Sequence, residues 1–103
     1  MEDFGKFIAT KKSIADKLNE HPIPMLTCKD GFTMSVQVGK YLYCEPKIDT
    51  APYYSKVEVG FPSKEESLLM PYVEDINHPT ETVYGYVPVY IIEQVIDKHG
   101  GLK

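Results

Sequence analysis

The stretch Thr82 to Gly100, TVYGYVPVYIIEQVIDKHG, changes its hydrophobic period at Pro88, and that change limits the fold more than any other feature of the chain. Before the proline, Thr82, Val83, Tyr84, Tyr86 and Val87 are β-branched or aromatic and suit a pleated, half-buried strand, with only Gly85 interrupting them. The Tyr84-x-Tyr86 spacing places both rings on one strand face. Pro88 suits the first position of a helix, because its missing N–H has no intrahelical partner there and its φ is already helical. Val89, Ile92 and Ile96 then recur at spacings of three and four, Ile91 and Val95 widen the stripe, and Glu93, Gln94, Asp97 and Lys98 take the opposite side. Lys98 and His99 bring positive charge to the negative end of the helix dipole, and Gly100 suits a left-handed closing residue. The start is less clearly marked, since Val87 is a poor N-cap. This unit carries the largest apolar face in the chain, so the rest must pack against it.

Upstream, Phe4, Phe7, Ile8, Ala15 and Leu18 follow a helical period that Lys11 breaks, which predicts one helix over residues 3 to 19. The alternative is a shorter helix opened at Ser13 by a Ser13-Ile-Ala-Asp16 capping box, and Pro22 and Pro24 end either version. From Met25 a hairpin turns at Cys28-Lys-Asp-Gly31. A two-residue turn would mix apolar and polar on both faces. A three-residue loop with Gly31 left-handed instead pairs Leu26 with Met34 and Cys28 with Phe32, leaving Phe32, Met34, Val36 and Val38 toward the core. Gly39 marks either a bulge, which turns Tyr41 and Tyr43 inward, or a weak point in one long strand, which leaves them on the polar face. Tyr53 to Phe61 reads as a third strand with Val57, Val59 and Phe61 on one face and Tyr54, Lys56 and Glu58 on the other. Ser63-Lys-Glu-Glu66 reads as a second capping box opening a helical turn that stops before Pro71, and Val73 to Glu81 as an acidic surface loop.

The order of elements predicts an α+β fold, an antiparallel sheet of about four strands with N- and C-terminal helices packed on it. A length of 103 residues fits one domain over 1–103, with 1–22 as an N-terminal helical extension and 25–101 as the core. The acidic start lacks the pattern of a signal peptide and no stretch approaches a membrane span, so a soluble, cytoplasmic protein is expected. Cys28 and Cys44 match no disulfide framework or zinc pattern and are expected to be packed thiols.

No catalytic, metal-binding or phosphate-binding motif appears: there is no GxSxG elbow, no Gly-rich phosphate loop, and no histidine pair at metal-ligand spacing. The expectation is therefore a non-enzymatic protein with no cofactor and no metal. All 11 basic residues are lysine, so the chain lacks the guanidinium fork that reads guanine in a major groove, which argues against direct duplex recognition. The net charge of −4 is concentrated in residues 62 to 86, where Glu65, Glu66, Glu74, Asp75 and Glu81 face Lys64 alone. As a surface, these five acids would meet a partner protein with a basic face; the plainer reading is a solvated charge run. Among the tyrosines, Tyr41, Tyr43 and Tyr54 with Lys40 and Lys56 form the alternative candidate, a site where rings stack on a nucleotide. The plainer reading there is core filling with hydroxyls at the sheet edge.

The runs Cys28-Lys-Asp-Gly-Phe-Thr-Met-Ser-Val-Gln37, Val57-Glu-Val-Gly-Phe-Pro-Ser63 and Thr82-Val-Tyr-Gly-Tyr-Val-Pro88 to Lys98-His-Gly-Gly101 resemble a family of small uncharacterised proteins encoded by bacteriophages and prophages, over about residues 25 to 101. That resemblance carries no functional residue. It implies a setting: accessory proteins of this kind often bind and inhibit a host defence or replication protein, or sequester a nucleotide signal. The leading expectation is thus a phage accessory protein that binds a host protein, perhaps a nucleic-acid-handling defence enzyme, through its acidic surface. A nucleotide-binding module and a structural role in an assembly, supported by strand edges and exposed tyrosines, are the alternatives.

Overall fold

The hairpin adopts the three-residue loop. In the computed structural model, which describes residues 3–103, β1 (Leu26–Thr27) pairs with β2 (Thr33–Gln37) through Leu26↔Met34 and Thr27↔Thr33. Gly31 takes φ 95°, and Cys28 N–H donates to Phe32 O at 2.8 Å. β2 continues into β3 (Lys56–Gly60) and β3 into β4 (Val83–Pro88), all antiparallel, in the order β1-β2-β3-β4. Met34, Val36, Val57, Val59, Tyr84 and Val87 face inward and are buried.

Two helices cover that inner face, giving the α+β architecture expected from the element order. α1 (Phe4–Leu18) is one continuous helix with no break at Ser13. Phe4 and Ile8 are fully buried in the same cluster as the sheet and α2. Phe4 N–H donates to the Glu93 carboxylate at 2.8 Å, so an acid from α2 serves the helix N-terminus, where donors are unpaired and negative charge is favourable. At Gly5 a Cβ would lie 2.3 Å from the Tyr53 ring and 2.5 Å from Tyr54 O, so α1 crosses the following segment at backbone distance. The N-terminal helix is thereby a wall of the core. α2 (Val89–Lys98) buries Val89, Ile92, Val95 and Ile96. Pro88 stands one position earlier than expected, as N-cap, and Val89 N–H finds Ser55 O at 3.0 Å. At the far end Gly100, at φ 90°, lets Gly101 N–H return to Ile96 O at 2.9 Å.

Several expectations are corrected. The third strand begins at Lys56, so Tyr54 precedes it and is fully buried, with its hydroxyl donating to Ile48 O at 2.8 Å. Phe61, expected on the same face as Val57 and Val59, takes φ 52° and is 53% exposed while those two are buried. Gly39 marks neither a bulge within a long strand nor its weak point: the strand ends at Gln37. Residues 39 to 52 are irregular, with Cys44 buried and Tyr41 and Tyr43 exposed. Tyr84 and Tyr86 do not share a face. Between Val57↔Val87 and Val59↔Tyr84, β3 has one residue and β4 has two, and this bulge sets Tyr86 at φ 54° and turns it outward. The Ser63 capping box does not form. Ser63 Oγ accepts Thr33 N–H, Glu66 accepts Leu68 N–H, and the short 3₁₀ turn is Met70–Tyr72, with Pro71 inside it.

Both sheet edges are covered. The chain end lies along β1, with a Cys28↔Leu102 bridge and Lys103 N–H on Thr27 O. Along the outer edge of β4, Glu74 N–H donates to Val83 O and Val73 bridges Tyr84, while Tyr43, lying over the sheet at Gly85, accepts Tyr86 N–H. Cys28 and Cys44 are free, buried thiols, and burial pushes both up from the usual thiol range. Among the described residues, no helix is long and apolar enough to cross a membrane.

Candidate functional site

The acidic segment divides into a buried part and an exposed part. Glu66 turns inward, its side chain 2% exposed, so it is removed from the expected docking surface. Its Oε1 lies 2.6 Å from His99 Nε2, and its Oε2 accepts from Lys98 Nζ at 2.8 Å and from Leu68 N–H at 2.9 Å. On the other side, His99 Nδ1 lies 2.6 Å from Asp30 Oδ2, and the ring stacks on Phe32 with centroids 4.2 Å apart. Both ring nitrogens of His99 are thus engaged by carboxylates. Burial acts to raise the Glu66 carboxyl, but hydrogen bonds from Lys98, Leu68 and His99 outweigh it and hold it below the usual range. Asp30 is also held low, first by Phe32 N–H and then by His99. The cluster ties the hairpin loop, the segment after β3 and the end of α2 together. Its groups all face one another, and its work is structural.

The exposed part is a coherent surface. Glu65, Glu74, Asp75 and Glu81 are solvent-exposed. The loop bearing three of them is held in shape: Asp75 accepts Asn77 N–H at 3.0 Å and contacts His78 Nδ1 at 2.9 Å, Glu81 N–H donates to His78 O, and Asp75 N–H meets Thr82 Oγ1 at 3.2 Å. The Tyr84 hydroxyl fastens Pro79 O from below at 2.5 Å. Burial, and after it the charge of Glu65, raise that hydroxyl's pKa. Asp75 and Glu81 raise the His78 imidazole, the Asp75 hydrogen bond being the larger cause, while His78 and Asn77 N–H lower Asp75. At the loop's centre Ile76, which follows Glu74 and Asp75 in the chain, is an aliphatic side chain 67% exposed.

The tyrosine candidates are dispersed. Tyr54 lies inside the core, where burial pushes its hydroxyl up to about 12, so Tyr41, Tyr43 and Tyr54 do not line one concave surface. Lys56 sits 3.8 Å from Glu45. Lys40 and Tyr41 stand at the mouth of a groove of about 630 Å³ between α1 and residues 37 to 49. Lys12 and Asp16 pair within it at 2.6 Å, Lys40 and Asp49 pair at 3.9 Å, and His21 lies 3.3 Å from Asp16. Its cations are matched by its own acids, so it offers no surplus positive charge to a phosphate. Tyr43 instead meets Tyr86, with centroids 5.7 Å apart and Lys47 Nζ 5.1 Å and 5.7 Å from the two rings.

His99 was passed over in the sequence because its partners lie 69 and 33 residues away; its place after an amphipathic helix suggested only a dipole role. Tyr86 and Ile76 gave no local signal either. Comparison with protein families, curated proteins and solved structures finds no match to this chain.

Proposed function

We propose that the protein is a non-enzymatic binding protein whose acidic face, made by Glu65, Glu74, Asp75 and Glu81, docks on a basic surface of another protein. The observation that carries this reading is Ile76: an exposed aliphatic side chain in an acidic loop whose backbone is held by its own hydrogen bonds and by Tyr84. Such an apolar centre within a charged rim is the anatomy of a protein interface, and a preshaped loop loses little entropy on binding. The phage setting, with a host protein as target, rests on the family resemblance alone.

The immobilised protein should retain a basic partner from bacterial lysate at low salt and release it near about 0.5 M salt, where the Debye length falls to a few ångströms. A variant with glutamine at Glu65, Glu74, Asp75 and Glu81 should fold and retain nothing. Undiminished retention by that variant would contradict the reading.

A further inference from the structure

The groove between α1 and residues 37 to 49 has walls that are each fastened. Gln37 turns its side-chain amide onto the backbone of Ile23, with Oε1 accepting Ile23 N–H at 2.9 Å and Nε2 donating to Ile23 O at 2.8 Å. Across from it, Cys44 Sγ accepts Gly39 N–H at 3.3 Å and Asp49 Oδ1 accepts Lys40 N–H at 3.0 Å. A second hollow, also of about 630 Å³, shares Lys12, Asp16 and Asp49 with the groove and adds the hydroxyls of Thr10, Ser13 and Thr50. Each volume falls within the roughly 300–1,000 Å³ of ligand pockets, and walls set in advance lose little entropy on binding.

Lys12 stands where the two hollows meet. It is only 9% exposed, and lysine is seldom so enclosed. Its ammonium carries three donors. Asp16 Oδ1, at 2.6 Å, is its one hydrogen-bond partner among the described residues. Asp49 supplies the opposite character: Lys40 Nζ lies 3.9 Å from its Oδ2, beyond hydrogen-bond length, so that oxygen is open to a donor. At the mouth Tyr41 is 83% exposed, with Lys40 Nζ over one face at 5.1 Å from the ring centroid, which leaves the other face bare.

This combination selects its ligand. With Lys12 and Lys40 against Asp16 and Asp49, a phosphate or a lone cation finds one sign unmet. An apolar guest would strip water from the Lys12 donors and the Asp49 acceptor without replacing its hydrogen bonds. Hydroxyls donate and accept at once, so neighbouring hydroxyls of one ring can serve an ammonium and a carboxylate together without net charge. The C–H face of such a ring is weakly positive and apolar, which suits the negative π face of tyrosine. We propose that the groove is a saccharide-binding site in which Lys12, Asp16 and Asp49 hold the hydroxyls and Tyr41 stacks on a sugar ring. The site does not depend on the acidic face being a docking surface.

The test is an amide NMR titration of the whole protein with maltotriose, chitotriose and, as a neutral ligand that is not a glycan, adenosine, each to about 10 mM. At least one trisaccharide should give saturable shifts at Lys12, residues 38 to 42 and Asp49, and these should persist at about 0.5 M salt because the ligand is uncharged. Lys12→Met keeps the apolar stem and removes the donors, and should weaken binding at least about tenfold. Tyr41→Ala removes an exposed ring, so the fold is kept, and should weaken binding about threefold to tenfold, whereas Tyr90→Ala, at an exposed tyrosine of α2 outside the groove, should leave it unchanged. Should Lys12→Met fail to fold, Tyr41→Ala against Tyr90→Ala decides. Absence of saturable shifts with both trisaccharides, binding of adenosine alone, or equal affinity in Tyr41→Ala and the unmodified protein would overturn the site.

Discussion

His99 decides how the segment after β3 is held. With each ring nitrogen 2.6 Å from a carboxylate and Glu66 almost wholly enclosed, His99→Leu leaves a buried carboxylate with one hydrogen-bond partner fewer. Because leaving a buried polar group short of a hydrogen bond costs about 1–3 kcal/mol and Lys98 still serves Glu66, a loss of about 2 kcal/mol in chemical unfolding is expected. The same carboxyls set an acid limit. Folding lowers the pKa of Asp30 and Glu66, so their contribution is complete above the unfolded values near about pH 4 and is lost as pH falls through the lower folded values. The thermal midpoint should thus hold steady from neutral pH to about pH 5 and fall below about pH 4, and the fall should be shallower in His99→Leu. An acid transition of equal steepness in both proteins would count against the cluster.

At the scale of elements, what could be read from the chain depended on whether the determinant was local. The hairpin register followed from Gly31 and a clean period of two in β2, and α2 followed from its apolar stripe and the closing glycines. The β4 bulge was hidden because nothing in Gly-Tyr-Val marks tyrosine as the left-handed residue. Tyr54 was misplaced because its burial comes from α1 crossing at Gly5, a contact between distant segments. The standing of α1 can be measured by sign. Gly→Ala in a loosely attached helix stabilises by about 0.5–1 kcal/mol. Here the new methyl would meet Tyr53 and Tyr54 O at 2.3–2.5 Å, so Gly5→Ala should destabilise by about 2 kcal/mol and lower the melting temperature by about 10 °C. A raised melting temperature would return α1 to the status of an extension.

For the whole molecule, the edge of β4 is where the functional reading concentrates. The strand carries the acidic loop along its outer edge, and the His99 cluster fixes the segment that bears Glu65. The sequence located the charge but not its geometry: Glu66 left the surface for the interior, while Ile76 joined it through a loop conformation that only tertiary contacts specify. The most direct measurement is an amide NMR map of the protein titrated with hexa-arginine peptide. Perturbations confined to Glu65 and residues 74 to 81, absent at high salt, are predicted. Perturbations centred on α1 and the groove beside Lys12 and Tyr41, or spread evenly over the surface, would contradict a docking face on this edge.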